Sequence, residues 1–208
     1  YAQDDQEILK ASLENRSGIM LFCGPTGSGK TTSLAASVND FTVPGGPLDN
    51  SIIITLENPI EYQFMNKSNC KITQKEILTD FTSFSSGVTQ ALREHPTHII
   101  CGEIRDRDGI RTCVEAARTG HKVMSTFHTD DVAGTIARMY NYLASDENSD
   151  IMYDLITNID MIICQKLFSD GNSFNLKTQY LFFNDEIKHI LHNAISNDSN
   201  ISLTIQDI

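Results

Sequence analysis

Gly24-Pro25-Thr26-Gly27-Ser28-Gly29-Lys30-Thr31 lies between a short apolar run, Ile19-Met20-Leu21-Phe22-Cys23, and a stretch, Lys30 to Asn39, that reads as a helix. The order of strand, glycine-rich loop and helix decides the fold, because G-x-x-x-x-G-K-[ST] in that setting is a phosphate-binding loop. Its glycines let successive backbone N–H groups turn inward, and the following helix adds the partial positive charge of its N-terminus. Lys30 is placed to reach the β and γ phosphates of a nucleotide, and the Thr31 hydroxyl to meet Mg2+ beside them.

Outward from the loop, apolar periodicity alternates between the two kinds of element. Residues 6 to 16 space Ile8, Leu9 and Leu13 as a helix, and Gly18 interrupts before the first strand. Pro44-Gly45-Gly46-Pro47 ends the helix after the loop, and Ile52 to Leu56 is a β-branched, apolar strand of the kind covered on both faces in a parallel sheet. An irregular segment then runs through Lys75. Asp80 to Arg93 is a predicted helix stopped by Pro96, His98 to Cys101 a strand, Asp106 to Thr119 a helix stopped by Gly120, and His121 to Phe127 a strand. Asp130 to Leu143 is a helix capped by Thr129 or Asp130, and Met161 to Phe168 a strand. Gly171-Asn172 is a turn, and Lys177 to Phe183 a strand that pairs back antiparallel. From Asp185 the chain reads as one amphipathic helix and then weakly structured polar residues. Strands separated by helices give an α/β fold with a mainly parallel sheet flanked by helices.

Composition narrows the function classes. A chain of 208 residues, 40% hydrophobic and 21% charged, suits one domain around one core. Its longest apolar runs fall far short of the roughly 18 residues that span a bilayer, so no transmembrane segment is expected. Asp4, Asp5, Glu7 and Glu14 replace the basic and apolar start of a secretory signal, so the expected compartment is cytoplasmic. The five cysteines form no C-x-x-C pair and read as reduced, mostly buried thiols. A formal charge of −11 opposes a phosphate backbone, and no direct nucleic-acid partner is expected.

Three further strand ends carry polar groups to the edge where ligands sit in open α/β sheets. His98-Ile99-Ile100-Cys101-Gly102-Glu103 ends in a carboxylate suited to holding Mg2+ through water or polarising an attacking water; the plain alternative is a glutamate that merely caps a loop. Thr55-Leu56-Glu57-Asn58-Pro59 and Ser125-Thr126-Phe127-His128-Thr129 supply the others. His128 reads either as a hydrogen-bonded structural histidine or as a sensor of the γ-phosphate. Arg93, Arg105, Arg107, Arg111 and Arg118 cluster within 26 residues, and Arg93, Arg105 and Arg118 are candidates to meet a phosphate, of this subunit or of a neighbour.

Four motifs in order resemble the type II secretion and type IV pilus ATPases, a family that includes Dot/Icm-type and conjugative members. Gly24 to Thr32 matches that family's Walker A motif, and Thr55 to Tyr62 (TLENPIEY) resembles its Asp box. Ala91 to Asp106 (ALREHPTHIICGEIRD) resembles its Walker B segment, and Thr119 to Thr129 (TGHKVMSTFHT) its His box. The match runs over about residues 5 to 168, leaving about 169 to 208 as a C-terminal hairpin and helix. The resemblance implies a RecA-like P-loop core, ATP hydrolysis with Mg2+, a homo-hexameric ring, and docking on inner-membrane platform or secretion-channel proteins. Carried over by position, it implies that Pro25, Thr26, Ser28, Lys30, Thr31 and Thr32 join the loop glycines in binding nucleotide. It further gives Mg2+ to Thr31 and Glu103, water positioning to Glu57, and γ-phosphate sensing to His128.

The chain departs from the family's pattern in three ways. Asn58 stands where the Asp box usually has aspartate. About twenty residues precede the loop strand where the family carries an N-terminal domain, which reads as a fragment lacking that domain's arginines. The tetracysteine metal site of the type II branch and the pilus-retraction signature have no counterpart, whereas Tyr180 to Asn184 followed by a helix looks closer to the Dot/Icm and conjugative branch. Two rival readings stand beside the motor: a nucleotide-gated structural subunit with little hydrolysis, and a RecA-like nucleic-acid motor.

Overall fold

In a computed structural model, residues 3–67, 69–143, 150–171 and 173–196 are described. The helices are α1 (Gln3–Glu14), α2 (Lys30–Phe41), α3 (Phe84–Ala91), α4 (Arg107–Arg118), α5 (Val132–Leu143), α6 (Asp150–Asn158) and α7 (Asp185–Ser196). The strands are β1 (Gly18–Cys23), β2 (Ile52–Glu57), β3 (Lys71–Glu76), β4 (His98–Glu103), β5 (Lys122–Phe127), β6 (Ile159–Ser169) and β7 (Phe174–Phe182). They form one sheet in the order β3-β2-β4-β5-β1-β6-β7, parallel except for the antiparallel last pair.

The sheet is covered on both faces, which is why its inner strands are continuously apolar. Alternate residues of β1 go to opposite sides. Ile19, Leu21 and Cys23 join a core with Val88, Ile110, Val114, Ile136 and Leu155, under α3 to α6. Met20 and Phe22 face Leu9, Leu13, Leu34 and Val38 of α1 and α2. Leu191 and Ala194 bring α7 onto the first of these layers. All five cysteines are free and buried.

Four elements differ from the sequence reading. Lys71–Glu76 is an edge strand rather than an irregular segment; only Ile72 of its six residues is buried, so its sequence lacks the apolar run that marked the others. The helix expected from Asp80 starts at Phe84, because Ser83 and Ser86 form a capping box there, while Asp80 accepts a hydrogen bond from the Glu76 N–H. It closes in a 3-10 turn, Leu92–Glu94. Asp131, not Thr129 or Asp130, caps α5 by accepting from the Gly134 N–H at 2.7 Å. Finally, α6 had no predicted counterpart. Gly171 of the expected turn has φ +88, the conformation glycine favours, whereas Asn172 and the polar tail from 197 lie outside the described residues.

A buried polar group ties α1 to the edge of the sheet opposite the strand ends that carry the motifs. The Lys122 ammonium donates to Ser12 O at 2.7 Å and to Asp160 Oδ2 at 2.5 Å, and Asn15 donates to Asp160 Oδ1 at 2.8 Å. Beside it in register sits His98. Thr97 Oγ1 donates its one proton to Ile52 O, so the 2.8 Å contact to His98 Nδ1 requires a proton on Nδ1 and leaves Nε2 as a lone pair. Nε2 has no hydrogen-bond partner among the described residues.

Burial, and then the Lys122 charge, push the His98 pKa from 6.5 down to about 4. The unfolded chain therefore binds this proton more readily than the folded one. Stability is complete above pH 6.5 and drains as pH falls toward 4, by about 3 kcal/mol in all. Urea titrations should show that acid slope in the natural chain and a flatter one in His98→Leu.

Candidate active site

The C-terminal ends of β1, β2, β4 and β5 open on one cavity of about 970 Å3. Gly27, Lys30, Thr31, Glu57, Glu103 and His128 line it, with Thr26, Gly29 and Thr32 beside them. The sheet thus brings together residues from four distant motifs.

The loop after β1 is shaped by its glycines and by β6. Gly29 caps α2 at φ +83 and Gly27 has φ +78, both in the left-handed region. Gly24 has φ +153, and a Cβ there would stand 2.4 Å from both Gln165 O and Ser28 Oγ. Gln165 also donates from Nε2 to Ser28 O at 2.6 Å. Gly24, Pro25 and Ser28 therefore form the back of the loop: the Gly24 and Pro25 carbonyls each accept from Lys30 Nζ at 2.9 Å. Burial pushes the Lys30 pKa down, opposed by the nearby Glu103 carboxylate.

Glu103 owes its aim to an irregularity. The β4–β5 register shifts between Cys101 and Glu103, and Thr126 Oγ1 donates to Gly102 O at 2.8 Å across the shift. Such a bulge re-aims the side chain beyond it. The Glu103 carboxylate then meets His128 Nε2 at 2.7 Å through one oxygen and Arg105 Nε at 2.6 Å through the other. His128 Nδ1 lies 3.4 Å from Lys30 Nζ. Because an ammonium only donates, this contact uses the Nδ1 lone pair and sets the proton on Nε2, facing Glu103. The imidazole thereby links the loop lysine to the strand-end carboxylate.

Glu57 ends β2 and is buried, its Oε1 accepting from Thr55 Oγ1 at 2.6 Å and from Gln74 Nε2 at 3.1 Å. Asn58 lines the cavity next to it. Among the described residues there is no group of three or more His, Cys, Asp or Glu side chains able to cage a metal. A hydroxyl (Thr31) and a carboxylate (Glu103) in the same lining do suit Mg2+, which takes few protein ligands and keeps waters and phosphate oxygens.

The arginines divide. Arg105 reaches the cavity, as does Arg111. Arg118 does not: it lies seven residues beyond Arg111 on α4, about 10 Å farther along the axis, and its guanidinium is paired with Asp154 of α6 at 2.7 Å. Arg93 is exposed on the 3-10 turn after α3 and is not part of the cavity wall. Neither side chain lines this cavity.

Three contributors escaped the sequence reading. Gln165 reaches the loop only through the β1–β6 register, which pairs Cys23 with Cys164. Arg138 donates to His128 O at 2.6 Å while lying over the Phe127 and Tyr142 rings, at 5.7 and 5.5 Å. Tyr62 OH contacts Thr32 Oγ1 at 2.8 Å. Gln165 and Arg138 belong to no local spacing pattern, and Tyr62, which closes the TLENPIEY stretch, carries no role that the stretch itself assigns.

The family model described as "Type II/IV secretion system protein" matches residues 1–200. The chain belongs to this family. Within the Type II/IV secretion family it is 37% identical over 164 residues to the type IV pilus retraction ATPase PilT of Pseudomonas aeruginosa, covering 77% of this chain and 45% of that one. It is 36% identical over 163 residues to the uncharacterised YggR of Escherichia coli, covering 78% and 48%. The chain thus spans about half the length of the curated relatives it matches. Among solved structures, the ATPase DotB of Legionella pneumophila superposes with TM-score 0.86 at 31% identity, over 98% of this chain and 54% of that one. The pilus retraction motor PilT with bound ADP superposes with TM-score 0.80 at 32% identity, over 92% and 53%. These likenesses bear out the RecA-like expectation.

Gly24→Ala should weaken MgADP binding about 10- to 100-fold, since forcing a side chain into that conformation costs roughly 1–3 kcal/mol. Titration calorimetry on the variant checks it, with circular dichroism to confirm that the sheet is intact.

Proposed function

We propose that this chain is the nucleotide-hydrolysing part of an ATP-driven motor that serves a secretion or type IV pilus machine. The observation that carries the reading is the single cavity into which Lys30, Thr31, Glu57, Glu103 and His128 all open. Family membership supports it, as does the ADP held by the structurally similar PilT.

In this reading the backbone amides of 27 to 31 and the N-terminus of α2 surround the phosphates, and Lys30 turns from the Gly24 and Pro25 carbonyls to the β and γ oxygens. Thr31 and Glu103 would hold Mg2+, which would supply positive charge against the phosphate oxygens. Glu57 and Glu103 flank the position of the attacking water, and either carboxylate orients it. His128 reports the γ-phosphate to Glu103 through its Nε2 proton. Arg105, released from Glu103, would be placed to meet that charge from the cavity wall.

The intact protein would act as a homo-hexamer in which nucleotide binding and release repack neighbouring subunits. It would dock from the cytoplasmic side on an inner-membrane platform or secretion channel. Among the described residues no helix is long and apolar enough to cross a membrane. Asn58 at the cavity wall favours one second reading, a subunit gated by nucleotide without appreciable turnover. Phosphate release from the full-length protein separates the two.

Lys30→Ala should abolish nucleotide binding or hydrolysis, and unchanged turnover there would contradict the proposal. Glu103→Gln should keep MgATP affinity and lose about 100-fold or more in steady-state phosphate release, the scale of removing a general base. Natural rates in that variant would move the role to Glu57.

A further inference from the structure

The edge strand β3 carries a side chain that uses both amide donors and its carbonyl oxygen. Gln74 Oε1 accepts from the Phe64 N–H at 2.8 Å, and Nε2 donates to Tyr62 O at 2.7 Å and to Glu57 Oε1 at 3.1 Å. A backbone N–H only donates and a carbonyl only accepts, so these partners fix which way the amide faces. Its remaining N–H must then point at the Glu57 carboxylate. The parallel β2–β3 register pairs Gln74 with Thr55, which donates to the same Glu57 oxygen at 2.6 Å. One carboxylate oxygen is thus pinned from two strands. The amide also gathers the 58–64 loop, whose Tyr62 reaches Thr32 of the phosphate loop.

We infer that Gln74 is a positioning residue for the Glu57 carboxylate, setting the rate of turnover rather than the affinity for nucleotide. Gln74 is absent from the cavity wall and touches no group assigned to phosphate or Mg2+; of the groups it does touch, Glu57 is the one with a part in hydrolysis. The inference rests on the reading of Glu57 as a carboxylate that serves hydrolysis. A glutamine in an edge strand is otherwise a solvent-facing filler, and a filler does not use both donors and its acceptor on one loop and one buried acid.

The test uses the full-length protein with MgATP. Gln74→Met keeps the length of the side chain and removes its amide; kcat should fall ~10- to 100-fold, the usual consequence of losing an orienting partner, with the dissociation constant for MgADP unchanged. On a Glu57→Gln background, read by single-turnover release of labelled phosphate, the same substitution should cost little further. Gln74→Glu sets a second carboxylate against Glu57, so the acid limb of the kcat profile should move to higher pH. This variant decides the matter even where Gln74→Met fails to fold. Natural kcat in Gln74→Met beside a crippled Glu57→Gln overturns the role of Gln74 alone. So does an undiminished cost on the Glu57→Gln background, or an acid limb that stays in place. Natural kcat in Glu57→Gln itself overturns the reading of Glu57 and this inference with it.

Discussion

The close approach of three backbone segments at Gly24 is the constraint on which the site depends. β1 delivers the loop at the centre of the sheet, β6 presents the Gln165 carbonyl behind it, and Ser28 folds back over both, leaving no room for a Cβ. That packing sets Gly27, Gly29, Lys30 and Thr31 on the cavity wall, with α2 starting directly from the loop. Because β1 is buried on both faces, the strand cannot slide to relieve a misfit, so the loop inherits the rigidity of the core.

Electrostatics follow from the same edge. The sheet ends four parallel strands together, and the bulge at Gly102 turns Glu103 toward the lysine-bearing loop. A buried ammonium and a carboxylate are thus joined by one imidazole, with Arg105 on the outer oxygen. A triphosphate entering there would compete for the cations while leaving the carboxylates facing the reacting end. Lys30 and Arg105 would exchange internal partners for ligand partners, while the Glu103 carboxylate that Arg105 leaves would need Mg2+ as a counter-charge at low dielectric. The opposite edge serves stability instead, where Lys122, Asp160 and Ser12 hold α1 in place.

Much of this was legible in the sequence where local chemistry decides local structure. The glycine loop, the apolar inner strands and the Asp106 and Gly120 helix boundaries needed only propensity and spacing, and family motifs named the residues that now share a cavity. What escaped was whatever depends on register or on a half-covered face. β3 is polar because it is an edge, so it looked irregular, and with it went Gln74. Gln165 and Arg138 act through contacts set by strand pairing and helix docking, over 137 and 10 residues of chain. Arg93 and Arg118 looked equivalent to Arg105 along the sequence. The length of α4 and the Asp154 partner separate Arg118, and the 3-10 turn after α3 separates Arg93.

Titration calorimetry of the intact protein with ADP, in Mg2+ and then in excess chelator, tests the central claim most directly. A single class of sites that binds in magnesium and weakens sharply in chelator is the expected result. Well-folded protein that takes up no nucleotide under either condition would contradict the account.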